Sequence, residues 1–248
     1  MTDIELLVDL FKDTERQGPG SNQDTEKALN MLRLSTGQPL QVADIGCGTG
    51  GQTICLAKHL FAHITAIDLF PEFLEVLRQK SNKLNNQSRI ITKRQSMDKL
   101  NFEQQSLDLI WSEGAIYNIG FEKGIIDWKP FLKTGGHLAV SEITWTRQQR
   151  PREIDQYWRT VYPGIDTASN KISLLEKNGY SLVGYFDLPS KSWENYNQPL
   201  ESKFSAFLER HGHSEAARNI VKENQAEIAL HRKFKDYYSY GFYLAQKE

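Results

Sequence analysis

Two cysteines in 248 residues, Cys47 and Cys55, are too few for a disulfide framework, and neither has a Cys or His partner at zinc-site spacing. A surplus of one charge is missing as well. Thirty Lys and Arg face 31 Asp and Glu, a formal net charge of −1, so no broad field gathers phosphates. Histone-like, polybasic membrane and non-specific nucleic-acid roles are therefore disfavoured. No apolar run reaches the length of a membrane span, and the opening Met1-Thr2-Asp3-Ile4-Glu5 is acidic where a secretory signal is basic. Repeats and low-complexity tracts are lacking too, which removes solenoids and linkers. These absences predict a cytoplasmic chain with no membrane contact and no resident metal.

What is present is apolar: 39% of residues, enough to build a sizeable core for one domain over 1–248. Ile4, Leu7, Leu10 and Phe11 fall at helical spacing, and after the bend Gly18-Pro19-Gly20-Ser21 a second helix carries Ala28, Leu29 and Leu32. Residues 1–36 thus read as a helical cap. From residue 37 to 145 strands alternate with helices: Leu40–Ile45, Ile64–Leu69, Arg89–Lys93, Leu107–Trp111 and His137–Ile143 as strands. Helices follow Gly51, Pro71 and Glu122, the last running to Leu132, with Lys133-Thr134-Gly135-Gly136 as its stop. Parallel neighbours need crossovers that cover the sheet, so the pattern predicts a doubly wound, Rossmann-like α/β fold. Its mostly parallel seven-stranded sheet has helices on both faces. Residues 146–248 supply a polar, aromatic-bearing stretch to Pro163, a helix closed by Asn178-Gly179, and a strand Tyr180–Phe186. A helical insertion from Pro199 to Lys235 and a last strand Tyr237–Leu244 complete the chain.

After the first strand comes Gly46-Cys47-Gly48-Thr49-Gly50-Gly51. Gly46, Gly48 and Gly51 fit the dinucleotide pattern G-x-G-x-x-G with Asp68 ending the next strand, which would suggest NAD. The register Asp44-x-Gly46-x-Gly48-x-Gly50 fits better. With Leu107-Asp108-Leu109-Ile110-Trp111 and Phe131-Leu132-Lys133-Thr134-Gly135-Gly136-His137-Leu138, it resembles the class I S-adenosylmethionine-dependent methyltransferases over about residues 38 to 145. Within the class, Glu113 to Phe121 resembles small uncharacterised bacterial enzymes related to small-molecule methyltransferases.

The resemblance implies S-adenosylmethionine as cofactor, lying beyond the carboxyl ends of the strands. Asp44, Gly46, Cys47, Gly48, Thr49 and Gly50 would pass under its methionine and ribose, Asp68 would take both ribose hydroxyls beside Leu69, and Ser96, Met97 and Asp98 would hold the adenine. Ser96 stands where relatives often have an acid. Glu113 and Gly114 would meet the cofactor's amino-acid end, with Glu113 on its amino group. Glu113, as its alternative part, Tyr117 and Glu142 are the candidates for a base, with Tyr117 preferred for touching the acceptor, and Glu142 alternatively anchors a lid.

Several acceptor classes lose their signature. No Asn/Asp-Pro-Pro-aromatic segment follows the fourth strand to hold a flipped base, no Pro-Cys nucleophile is present, and no thiol cluster suits a metalloid. Carboxylates clustered with Asn for a catechol-type metal are missing. Cys47 and Cys55 read as packing residues, His137 as structural, and His211, His213 and His231 as solvated. Tyr157, Trp158, Tyr162, Trp193 and Tyr196 lie outside the core pattern, open either to core packing or to substrate contact, including a cage for an alkylated amine. Residues 1–20 and 146–165 could close as a lid. The expected function is methyl transfer to a small-molecule N or O acceptor, with no nucleic-acid partner. An NAD-dependent oxidoreductase, for which no Tyr-x-x-x-Lys pair is seen, and a non-catalytic cofactor-binding module are the rivals.

Overall fold

The computed structural model describes residues 1–34, 37–84 and 89–248. The expected cap boundary at residue 36 lies outside the described residues. In chain order the elements are α1 (Asp3–Phe11), α2 (Asn22–Met31), β1 (Leu40–Ile45), α3 (Gly51–His59), β2 (Ala62–Asp68), α4 (Pro71–Lys83), β3 (Ile90–Arg94), β4 (Leu107–Glu113), α5 (Phe121–Trp128) and β5 (Leu132–Trp145). Then come α6 (Arg152–Val161), β6 (Asp166–Thr167), α7 (Ala168–Lys177), β7 (Tyr180–Asp187), α8 (Ser190–Arg210), α9 (Glu215–Phe234) and β8 (Tyr238–Lys247).

The sheet runs β3-β2-β1-β4-β5-β8-β7, with the two-residue β6 beside the end of β5 as a strand the sequence did not announce. The pairs from β3 through β5 are parallel and β8 is antiparallel to both its neighbours. Because side chains alternate across a strand, each strand feeds two cores. Val42, Leu109, Trp111 and Ala139 pack with Leu56, Leu74 and Leu77 on one face. Ala43, Ile45, Ile110, Leu138 and Val140 pack with Ile125, Trp128 and Leu175 on the other. The order in which successive strands are added reverses about β1, which has β2 on one side and β4 on the other, and a crevice opens there beyond the strand ends.

Several boundaries differ from the expectation. Helix α5 stops at Trp128 rather than Leu132, because Pro130 cannot donate a helical hydrogen bond and the chain tightens into one 3-10 turn, Lys129–Phe131. Lys133-Thr134-Gly135-Gly136 is not a break between elements. Leu132 already pairs with Leu107 and His137 with Leu109, so these residues bulge out of β5, with Gly135 at φ +76°. The stretch before Pro163 contains helix α6, and α8 begins at Ser190 with Pro199 inside it.

α1 starts on a capping box: the Thr2 hydroxyl accepts from Glu5 N while the Glu5 carboxylate accepts from Thr2 N at 2.8 Å. Its buried face, Leu6 and Leu10, packs with Leu200, Phe204, Phe207 and Ile220 of α8 and α9. The first helix is thus held by elements nearly two hundred residues away.

Candidate functional site

The crevice beyond β1 to β4 is a cleft of about 490 Å³. The glycine loop forms its floor. Gly46 has φ +73° and a Cβ built on it would lie 2.4 Å from Ala115 Cβ, so only glycine fits. The loop is held from below by Asp44, fully buried, which accepts from Thr53 Oγ1 at 2.5 Å and Gln52 Nε2 at 3.3 Å. Burial pushes the Asp44 carboxyl up to about 7 against the Thr53 hydrogen bond, with the Glu113 charge adding to the rise.

Asp68 ends β2 at the rim. It accepts from Gly48 N at 2.9 Å and Phe70 N at 3.0 Å, two backbone donors that fix its carboxylate while it still lines the cleft. Burial raises it nevertheless. Beyond β3, Ser96 donates to Asp98, and the Met97 carbonyl accepts from Trp128 Nε1 at 2.9 Å, which pins the Met97 backbone at the wall. Beyond β4, Gly114, at φ +60°, donates to Ser141 Oγ at 2.8 Å.

Of the expected residues, Gly46, Cys47, Gly48, Asp68, Leu69, Ser96, Met97, Asp98, Glu113, Gly114 and Tyr117 line this cleft together. Asp44, Thr49, Gly50 and Glu142 do not. Asp44 supports the loop from behind. Thr49 is buried, its hydroxyl donating to Thr14 O at 2.8 Å and its amide to Gln17 Oε1 at 2.8 Å. A Cβ on Gly50 would meet Leu77 Cδ1 at 2.2 Å, so that glycine serves helix packing. Glu142, 0% exposed, turns away to Lys171 Nζ at 3.3 Å, with Gly164 O accepting from the same ammonium at 3.1 Å. Burial opposes the charge on both partners, raising Glu142 and lowering Lys171.

Glu113 lines the cleft as expected and has a further part. Its Oε1 accepts from Thr25 Oγ1 at 2.7 Å and Trp111 Nε1 at 2.9 Å, and its Oε2 from the Arg16 guanidinium. These donors occupy three of the carboxylate's acceptor positions. Glu113 thereby ties down the segment after α1, and Arg16, Gln17, Gly18 and Pro19 of that segment line the cleft as a strap. These residues were not among the expected site residues one by one, although they fall within the segment 1–20 expected as a lid and next to its bend Gly18-Pro19-Gly20.

The other expectations divide. Cys47 and Cys55 are buried packing residues. His137 is buried at the far end of β5, and burial lowers its pKa. His213 is exposed, but His211 sits 2.8 Å from Asp9, and His231 is buried, stacked on Trp193 at 3.8 Å between ring centres. The solvated reading of His231 is thereby corrected. Trp158 and Trp193 join a buried aromatic cluster with Tyr238, against which Tyr157 and Tyr162 pack, while Tyr196 stacks on Phe11. Glu26, Cys55 and His59 approach one another on α2 and α3, but His59 Nδ1 is 2.9 Å from Cys55 O and burial pushes the thiol up to about 11, a poor donor set for a metal. Among the described residues no helix is long and apolar enough to cross a membrane.

The cleft suits S-adenosylmethionine on its own geometry. Glycine-only backbone lies on its floor, one carboxylate on two backbone donors stands at the second strand end, and an apolar wall with Met97 follows at the third.

Residues 42–136 match the family model described as a methyltransferase domain. Among curated proteins the chain is 30% identical to a demethylmenaquinone methyltransferase of Bacteroides fragilis over 120 residues, 48% of each chain. It is 35% identical to a ubiquinone biosynthesis O-methyltransferase of Xylella fastidiosa over 136 residues, 52% of this chain and 54% of that one. The match spans about half the length of these relatives. Among solved structures, an S-adenosylmethionine-dependent methyltransferase of Geobacter sulfurreducens with S-adenosyl-L-homocysteine superposes with a TM-score of 0.85, at 15% identity over 98% of both chains.

Proposed function

We propose that this chain, which carries a methyltransferase domain of the S-adenosylmethionine-dependent class, moves a methyl group from that cofactor to a nitrogen or oxygen of a small molecule. The observation that carries the reading is the single cleft that gathers the glycine floor, Asp68 and Met97 at successive strand ends. S-adenosylmethionine supplies a sulfonium methyl that is already an activated electrophile, so the protein's tasks are alignment and exclusion of water.

Asp68 takes the ribose hydroxyls, because its two backbone donors leave its outer lone pairs free for charge-assisted acceptance. Gly46, Cys47, Gly48 and Gly114 let the cofactor lie against backbone, while Leu69, Ser96, Met97 and Asp98 bound the adenine. Glu113 acts through Arg16, holding the strap over the glycine loop. Tyr117, 40% exposed in the cleft with its ring 6.0 Å from Tyr162, touches the acceptor. Glu142 acts at a distance as a positioning residue, binding α7 to β5 through Lys171. Near-neutral charge and the absence of a base-holding segment favour a small acceptor over nucleic acid.

Calorimetric titration with S-adenosylmethionine, S-adenosylhomocysteine and NAD tests this. Binding of the first two but not NAD is expected. Binding of NAD alone would replace the reading with an oxidoreductase, and strong salt-sensitive binding of RNA or DNA would overturn the small-molecule part.

A further inference from the structure

Charge is distributed unevenly around the cleft. Asp68 stands at the end of β2, Asp98 beyond β3 and Glu113 at the end of β4, all on the cleft lining. Among the described residues, Arg16 is the one Lys or Arg that lines the cleft with them. An anionic group on a bound ligand therefore meets like charge at three strand ends and a counter-charge only at the strap.

Arg16 is set there by its neighbours. Its stem passes over the first turn of α3, where a Cβ built on Gly51 would stand 2.8 Å from Arg16 Cγ and 2.8 Å from Glu15 O. The side chain is 10% exposed. Its Nη1 donates to Glu113 Oε2, and its Nη2 to Asn22 Oδ1 at 3.1 Å and Thr25 Oγ1 at 3.0 Å. A guanidinium has five N–H donors. Nε and one hydrogen of Nη1 thus have no protein partner among the described residues. Beside them α3 begins at Gly51 without a side-chain cap, and its Gln52 lines the cleft, so the positive end of that helix adds to the same place.

Glu113 is the complement. Three donors occupy its carboxylate, and of about four acceptor positions one is left. Two opposite charges in contact, each with an unused position and both on the lining, match a ligand end that bears both charges on one carbon. The amino-acid end of S-adenosylmethionine is such a group. With Asp68 on the ribose and residues 96–98 around the adenine, that end is the part of the cofactor left for β4 and the strap.

We propose that Arg16 takes the carboxylate of the cofactor's amino-acid end while Glu113 takes its ammonium, so that the strap is a specificity element for that end. The proposal rests on the reading of the cleft as an S-adenosylmethionine site, and its test needs no methyl acceptor. The full chain is titrated calorimetrically with S-adenosylhomocysteine, with S-adenosyl-3-thiopropylamine, which lacks only the carboxylate, and with methylthioadenosine, which lacks the whole amino-acid end. The parent should bind S-adenosylhomocysteine at least about tenfold tighter than the thiopropylamine. Arg16→Met should weaken S-adenosylhomocysteine about fivefold, reduce that preference to about twofold or less, and leave methylthioadenosine unchanged. Arg16→Lys keeps the charge and should retain the larger part of the preference. A parent that does not distinguish S-adenosylhomocysteine from the thiopropylamine overturns the proposal. So does an Arg16→Met protein that loses affinity for all three ligands alike, because Arg16 then only anchors the strap. Failure of all three to bind the parent strikes the cofactor reading itself, and the proposal with it.

Discussion

The two sides of the crevice are built in opposite ways. On the cofactor side the polar groups are committed: Asp44 to Thr53 and Gln52, Asp68 to two amides, Glu113 to Arg16, Thr25 and Trp111. Among the late helices and β8, the carboxylate of Glu227 and the hydroxyls of Tyr157, Tyr196 and Tyr240 meet no protein hydrogen bond among the described residues. A pre-organised frame holds its shape whatever binds, because these carboxylates already have their donors. Unsatisfied groups gain their bonds only from solvent or a guest, so they set which guest is tolerated. The contrast places constancy at the strand ends and discrimination in the late helices.

The foundation under the acceptor side is the Glu142–Lys171 pair, and its removal should have the largest effect. Glu142→Gln strands a buried ammonium and should cost about 3–5 kcal/mol in denaturant unfolding. Glu142→Gln combined with Lys171→Met should recover most of that, and failure to recover would mean the pair is not acting as a unit. On the cofactor side the matching foundation is Asp44. Its folded pKa lies above the unfolded value of about 3.8, so its contribution is fully present below that value and is lost as pH rises through about 7. The stability of Asp44→Asn relative to the parent should therefore improve by roughly 2–4 kcal/mol between pH 4 and pH 8; a flat difference would mean that Asp44 is not desolvated.

Asp68→Ala should weaken S-adenosylhomocysteine by about 1.5–3 kcal/mol while the unfolding temperature holds. Unchanged affinity would mean that Asp68 does not meet the ribose. The smallest effect belongs to the strap. Hydrogen exchange in residues 12–20 should slow when S-adenosylhomocysteine binds, and Arg16→Ala should remove most of that protection while costing about 1 kcal/mol in affinity. Exchange that ignores the ligand would make the strap a fixed wall.

The same contrast decides what could be read from the chain. Gly46, Gly48, Asp68 and Gly114 announce themselves because backbone conformation and short spacing generate their role, and such constraints leave a contiguous pattern. Tyr117 followed the same logic of strand ends. Glu227 leaves no pattern: it is an acid on an amphipathic helix, with the spacing of any solvated face, and only the approach of α8 sets Trp193 and Tyr196 beside it. His231 misled for that reason, its helical neighbours being polar while its ring meets Trp193 from another element. Glu113 was placed correctly in the cleft, but its partner Arg16 lies 97 residues away and has no local signature. The misread boundaries came from turn-like residues, Pro130, Gly135 and Pro199, which mark a tightening, a bulge and a tolerated interruption rather than ends.

The strap has a consequence for how the molecule assembles. It continues from α1, and α1 docks on α8 and α9, with Arg210 reaching Asp9 across 201 residues of sequence at 2.9 Å. Contacts so far apart close slowly, because the whole intervening loop must be ordered before they gain anything. The strap's bonds, Thr14 O and Gln17 to Thr49 and Arg16 to Glu113, need only the first half of the chain, whereas the buried face of α1 waits for the last third. A nascent chain halted before α8 would thus carry its floor and its strap, but its first helix would expose Leu6 and Leu10 until the distant helices arrive.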